Sequence, residues 1–209
     1  MLIVDNILDA YRFIKDYRVV IFDLDDTLYS EKEYVKSGYR EIAKHNPQIE
    51  NMEDKLWHAF QNGRKAIDEV LLSEGLYTEE KAQACLRVYR NQMPKIHLYE
   101  GVLQMLQQLV VDGILLGLIT DGRPNGQRAK IKALNIEQYF GKIIITDELG
   151  DSSFRKPNPI AFEIMHTFFA VPYKNMVYVG DNPSKDFQAP EKLGMQCVYF
   201  KNSDGLYSV

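Results

Sequence analysis

Residues Val19–Phe22 read Val-Val-Ile-Phe, an apolar run with no polar residue in alternation, and the run gives way abruptly to Asp23, Asp25 and Thr27. An unbroken β-branched and aromatic run suits a strand covered on both faces, as in a parallel sheet. Such a strand delivers its last residues to the carboxyl edge of the sheet, where ligand crevices open. Two carboxylates two residues apart at that edge suffer desolvation and mutual repulsion unless a cation or a proton relieves them. Asp23 and Asp25 are therefore candidates for catalysis or metal binding. The plain alternative is a strand-to-turn junction whose aspartates only cap backbone groups.

Four further β-rich runs follow, at residues 114–119, 142–146, 176–179 and 196–200. Between them apolar residues recur at helical spacing: Val102, Leu103, Leu106 and Leu109, then Ile131 and Leu134, then Ile160, Ile164 and Phe168. This alternation predicts an α/β fold, a Rossmann-like, doubly wound parallel sheet with right-handed crossovers. Residues 3–16 are expected to form a leading helix, with Ile7, Leu8, Tyr11 and Ile14 facing the sheet. The stretch from 30 to 98 is far longer than a crossover helix needs and reads as helices throughout. They start near Ser30, Asn51 and Thr78, with breaks at Asn46-Pro47, Asn62-Gly63, Gly75 and Met93-Pro94. The expected organisation is a catalytic core of residues 1–29 and 99–209 and a helical bundle of residues 30–98. A bundle inserted directly after the paired aspartates is expected to cap the crevice as a lid.

A net charge of −4 argues against general nucleic-acid binding, although it excludes no anionic substrate, because a few placed cations set the local field. Cys85 and Cys197 lie far apart, in no metal-ligand spacing and with no disulfide framework, so a cytoplasmic, reducing compartment is expected. No apolar stretch reaches membrane-spanning length, and no basic leader precedes an apolar core. No membrane partner is expected.

Each later strand also ends on a polar signature. After the second comes Thr120-Asp121-Gly122, with Pro124 and Asn125 at a helix start: a hydroxyl, a Gly-bearing turn and helix N-terminal amides, which together suit an anion. After the third, Arg155-Lys156-Pro157-Asn158-Pro159 holds Lys156 in a stiff loop as a fixed cation. After the fourth, Gly180-Asp181-Asn182-Pro183-Ser184-Lys185-Asp186 supplies two more carboxylates. Taken singly, each is ordinary turn or loop chemistry. Because all follow strands of one parallel sheet, all converge on one edge.

In these four motifs, Asp23-Leu-Asp25-Asp-Thr27-Leu, Thr120, Lys156 and Gly180-Asp181 with Asp186, the chain closely resembles the haloacid dehalogenase superfamily. The match is to its phosphatases with a helical cap after the first core strand. The resemblance implies a sheet with that strand central, flanked by the second and fourth. It implies Mg²⁺, held by Asp23, the backbone carbonyl of Asp25 and Asp181, with Asp186 acting through water or by orienting Lys156. It further implies that Asp23 attacks phosphorus to form an aspartyl-phosphate, while Asp25 protonates the leaving oxygen and then activates water. Thr120 and the amides near Asp121 and Gly122 would bind phosphoryl oxygens, and Lys156 would balance the charge. Arg123 and Asn125 are candidates for substrate contact, as are Tyr29 and Tyr34. Dehalogenases lack an acid at the position of Asp25, so Asp25 argues for phosphate esters. Many relatives carry Gly where this chain has Asp26, which is expected to bond backbone in the turn. The usual late helix is expected to be missing, leaving residues 201–209 as a tail.

The implied activity is hydrolysis of a small phosphorylated metabolite, a sugar phosphate or nucleoside monophosphate, by a monomer or weak dimer. A phosphomutase would use the same aspartyl-phosphate, and a non-catalytic binding module would keep only the fold.

Overall fold

The computed structural model describes residues 1–206. Two compact units emerge, one of residues Met1–Glu31 with His97–Val209, the other Lys32–Ile96. In chain order the elements are β1 (Leu2–Val4), α1 (Tyr11–Ile14), β2 (Val19–Phe22), α2 (Glu31–Lys44), α3 (Met52–Gln61), α4 (Ala66–Ser73), α5 (Glu79–Arg90), α6 (Val102–Val111), β3 (Leu115–Thr120), α7 (Pro124–Leu134), β4 (Lys142–Ile145), α8 (Ile160–Phe169), β5 (Met176–Gly180), α9 (Gln188–Lys192) and β6 (Gln196–Phe200).

The larger unit is built on one six-stranded sheet in the order β1-β6-β5-β2-β3-β4, every pair parallel. β2 lies between β3 and β5 and all four of its residues are buried, which is why its run needs no polar alternation. On one face Phe162 and Met165 of α8, with Phe187 and Met195, pack against Val19, Ile21, Met176 and Tyr178. That doubly covered sheet is the fold read from the alternation of strands and helices.

The expected leading helix over residues 3–16 is not present. Leu2–Val4 instead adds an edge strand parallel to β6, and only a 3₁₀ turn (Ile7–Ala10) and the single turn of α1 follow. The reason is local and tertiary at once. The open edge of β6 offers hydrogen bonds to a β-branched segment, while Asn6, accepting from the Leu8 amide, starts the helical turns only after it. Ile7 and Ile14 are still buried.

The smaller unit is helical. α5 starts on Thr78, whose side chain accepts from the Lys81 amide. α2 and α5 lie so close that a Cβ on Gly38 would collide with the Tyr89 ring, and Tyr34 meets Tyr89 edge-on. Tyr34 is thus packing inside this unit.

No helix follows β6 among the described residues. The segment is nevertheless tied down: Asn202 Nδ2 donates to the Asp26 carbonyl and the Leu206 amide to Asp26 Oδ2. The last three residues of the expected tail, 207–209, lie outside the described residues.

Candidate active site

β2 ends at Phe22, and the chain turns at once through Asp23 to Tyr29. Asp26 sits at φ +52°, in the left-handed region that favours glycine. Its side chain offsets that strain by accepting two backbone amides, Glu31 N at 2.8 Å and Leu206 N at 2.7 Å. Asp26 therefore serves the turn.

Asp23 is buried. Its Oδ1 accepts from Lys156 Nζ at 2.7 Å, while Oδ2 is buried with no hydrogen-bond partner. Burial raises its pKa to about 6, although Lys156 pulls the other way. Lys156, presented from the loop after β4, is shared: Asp186 Oδ1 stands 2.8 Å from its Nζ, and Nζ donates to the Tyr178 hydroxyl at 2.8 Å. Burial opposes the ammonium charge, but Asp186 and Asp23 outweigh it and hold the lysine above its ordinary value.

The loop after β5 brings Asp181 and Asp186 to the same place. Gly180 is needed there, since a Cβ would fall 2.5 Å from Asp186 Oδ2. Asp186 Oδ2 accepts from the Asn182 amide at 2.9 Å, which closes the loop. One oxygen each of Asp23, Asp181 and Asp186 lie within 4.8 Å of one another. Thr27 donates to Asp181 Oδ1 at 3.2 Å. Burial, then Asp23 and Asp186, push Asp181 up to about 8. Three crowded carboxylates, one buried oxygen without a partner and only oxygen donors fit a hard divalent cation.

Asp25 faces another way. Its Oδ1 accepts from Lys130 Nζ at 2.7 Å and from the Tyr29 hydroxyl, and its Oδ2 from Gln127 Nε2 at 2.8 Å. Burial works against its charge, yet Lys130 and these bonds hold the carboxyl below its ordinary value. Glu31 lies 3.9 Å from Lys130, and burial followed by the charge of Asp25 raises it to about 8.

Thr120 ends β3 and is fully buried, with its hydroxyl accepting from Gln127. The Asp121 carboxylate is committed to the protein, accepting from the Thr146 hydroxyl at 2.9 Å and the Lys156 amide at 3.1 Å. It fixes the lysine's loop to the end of β3. Gly122 turns the chain at φ +130° into α7. Arg123 and Asn125 are exposed and outside the lining of the crevice. The crevice, of about 410 Å³, is lined by Asp25, Glu31, Asp121, Asp181 and the cations Arg155, Lys156 and Lys185, among others. Arg155 is held there by two 2.7 Å bonds to Asp147.

Reading the sequence missed Gln127, Lys130, Tyr178, Glu31 and Lys185. Lys185 lies inside a motif and was within reach. A polar Gln127 and Lys130 three apart on a helix otherwise read by its apolar face could also have been flagged. Nothing marks Tyr178 within β5.

Residues 20–200 match the family described as haloacid dehalogenase-like hydrolase. The chain belongs to that family. Over 195 residues it is 28% identical to a glyceraldehyde 3-phosphate phosphatase of Methanopyrus kandleri, covering 87% of this chain and 82% of the relative. It is 25% identical to the human N-acylneuraminate-9-phosphatase over 90% of this chain and 84% of that one. The solved structure of the Bacillus subtilis HAD-hydrolase YfnB, bound to magnesium, superimposes with a TM-score of 0.62 at 19% identity, covering 88% of this chain and 86% of that one. Within the haloacid dehalogenase-like hydrolases the chain stands with the phosphatases.

Proposed function

We propose that this phosphatase hydrolyses a small phosphorylated metabolite through an aspartyl-phosphate on Asp23, with Asp25 as acid and base and Mg²⁺ as its cation. The observation that carries the reading is the split environment of Asp23: one buried oxygen held by Lys156, the other with no partner. A desolvated carboxylate oxygen without a partner has no hydrogen bond to give up when it attacks an electrophile.

Asp23, Asp181 and the backbone carbonyl of Asp25 would hold the cation, with Asp186 behind them. When bound, Mg²⁺ offsets the repulsion between the Asp23 carboxylate and the phosphate dianion. The residues then do the following. Asp23 Oδ2 bonds to phosphorus as the bond to the ester oxygen breaks, and Asp25 gives that oxygen a proton. Water next attacks phosphorus and gives a proton to Asp25 as the bond from Asp23 Oδ2 to phosphorus breaks, and inorganic phosphate departs. Lys156 holds the first oxygen of Asp23 throughout, while the Thr120 hydroxyl and the amides of Asp121 and Gly122 bind phosphoryl oxygens. In its present contacts Asp25 is a carboxylate, the form that accepts a proton. To donate one it must first take up a proton on Oδ1 and turn it to the leaving oxygen in place of the Tyr29 contact, while Lys130 and Gln127 keep their hold on the carboxyl.

The substrate is small: a crevice of about 410 Å³ suits a triose or sugar phosphate, and the named relatives act on compounds of that kind. Residues 30–98 we assign to a cap that selects it. Cys85 and Cys197 are buried and free, which favours the cytoplasm.

The experiment is phosphate release from para-nitrophenyl phosphate and a metabolite panel, with Mg²⁺ or EDTA, beside Asp23→Asn. Release that needs metal and disappears in the variant is expected. Undiminished release from Asp23→Asn would overturn the covalent route, and isomerisation without free phosphate would make the protein a mutase.

A further inference from the structure

Outside the four motifs, α7 carries a buried amide and a buried ammonium three residues apart, Gln127 and Lys130, each 4% exposed. At that spacing the two side chains leave one face of the helix. They take hold of Asp25 from both sides, Lys130 at Oδ1 and Gln127 at Oδ2. The same Gln127 Nε2 also donates to Thr120 Oγ1. An amide has two hydrogens, one for each acceptor, and a carboxylate can only accept, so Asp25 determines which end of the amide faces it. A hydroxyl that accepts from Gln127 keeps its own hydrogen to give elsewhere. A lysine buried only to be neutralised would need any carboxylate; this one takes the acid and base of the reaction, with Glu31 at 3.9 Å as its second neighbour.

Resting on the phosphatase reading, we propose that Gln127 and Lys130 are positioning residues: together they aim the Asp25 carboxylate, and Gln127 turns the Thr120 hydroxyl outward as a donor to the phosphoryl group. One rigid helix face then sets two groups that arrive on different strands, which holds them in register with each other.

The test compares two esters that differ in their need for a proton. A para-nitrophenolate leaves without one, whereas the alkoxide of glycerol phosphate requires it. Purified protein with Mg²⁺ is assayed as wild type, Lys130→Met and Gln127→Leu, and kcat/KM reports the steps up to departure of the alcohol. In Lys130→Met kcat/KM for glycerol phosphate is expected to fall by about 10²-fold and for para-nitrophenyl phosphate by no more than about threefold; Gln127→Leu should add a loss common to both esters, through Thr120, and still lose at least about tenfold more on glycerol phosphate. The aromatic ester should also show a burst of nitrophenolate, because the water step slows in a protein whose base is no longer aimed. Gln127→Leu alone should weaken inhibition by inorganic phosphate, through Thr120. Equal losses on both esters would make the pair merely structural, and no loss on either would leave it without a role; both overturn the proposal. If Lys130→Met does not fold, Gln127→Leu, which removes no charge, decides by the same comparison. A wild type inactive on both esters would remove the phosphatase reading itself, and is seen before any variant is compared.

Discussion

The ammonium of Lys156 stands 2.7 Å from Asp23 Oδ1 and 2.8 Å from Asp186 Oδ1, with all three side chains at or near zero exposure. One buried cation between two buried carboxylates leaves a net negative charge, which with burial keeps a proton on the neighbouring Asp181. That imbalance ties the stability of the site to its chemistry.

Removing the lysine should expose the cost. Lys156→Met leaves Asp23 and Asp186 buried without their shared counter-charge, a loss of about 3–5 kcal/mol by the usual penalty for breaking a buried pair. Urea denaturation checks it, and a midpoint equal to wild type would show that the pair contributes nothing to folding. Turnover should disappear with it.

Asp23→Asn keeps shape and volume but removes the nucleophile. Phosphate release should fall by on the order of 10⁴-fold or more, with an unchanged circular dichroism spectrum. Activity within tenfold of wild type would assign the attack elsewhere.

Stability without metal should fall as pH rises. Asp181, raised to about 8 from an ordinary 3.8, keeps its proton in the folded state across a window where the unfolded chain has lost it. Between about pH 4 and pH 8 the folded protein therefore binds more protons, and unfolding becomes easier as pH increases. Asp23, raised to about 6, adds the same sign over the lower part of that window. Mg²⁺ must displace the proton from Asp181, so its stabilising effect should grow over the same range. Melting temperatures at several pH values, with EDTA and with Mg²⁺, test this. A metal shift that shrinks towards pH 8 would contradict it.

At Asp26 the backbone and the side chain make separable demands. Asp26→Ala loses both accepted amide bonds and keeps an L-residue at φ +52°, whereas Asp26→Gly loses the bonds but relieves the backbone. Alanine should be the less stable of the two by about 1 kcal/mol. Equal stabilities would mean that the turn relaxes.

Much of this was legible in the chain. Val19–Phe22 had to be central because an unalternated apolar strand must be covered twice, and the sheet places it between β3 and β5. The four motifs lie at strand ends, and parallel strands put their carboxyl ends on one edge, so Asp23, Thr120, Lys156 and Asp181 were bound to converge there. Pattern could not say which oxygen of Asp23 Lys156 takes, or that Asp25 turns to α7 rather than to Asp23. Those contacts join residues more than a hundred positions apart and depend on where a helix face docks on the sheet. The edge strand Leu2–Val4 was decided the same way: three apolar residues suit helix or strand equally, and only the open edge of β6 made the choice. Local order is written in neighbouring residues; a side chain's partner is settled only when packing brings distant ones within reach.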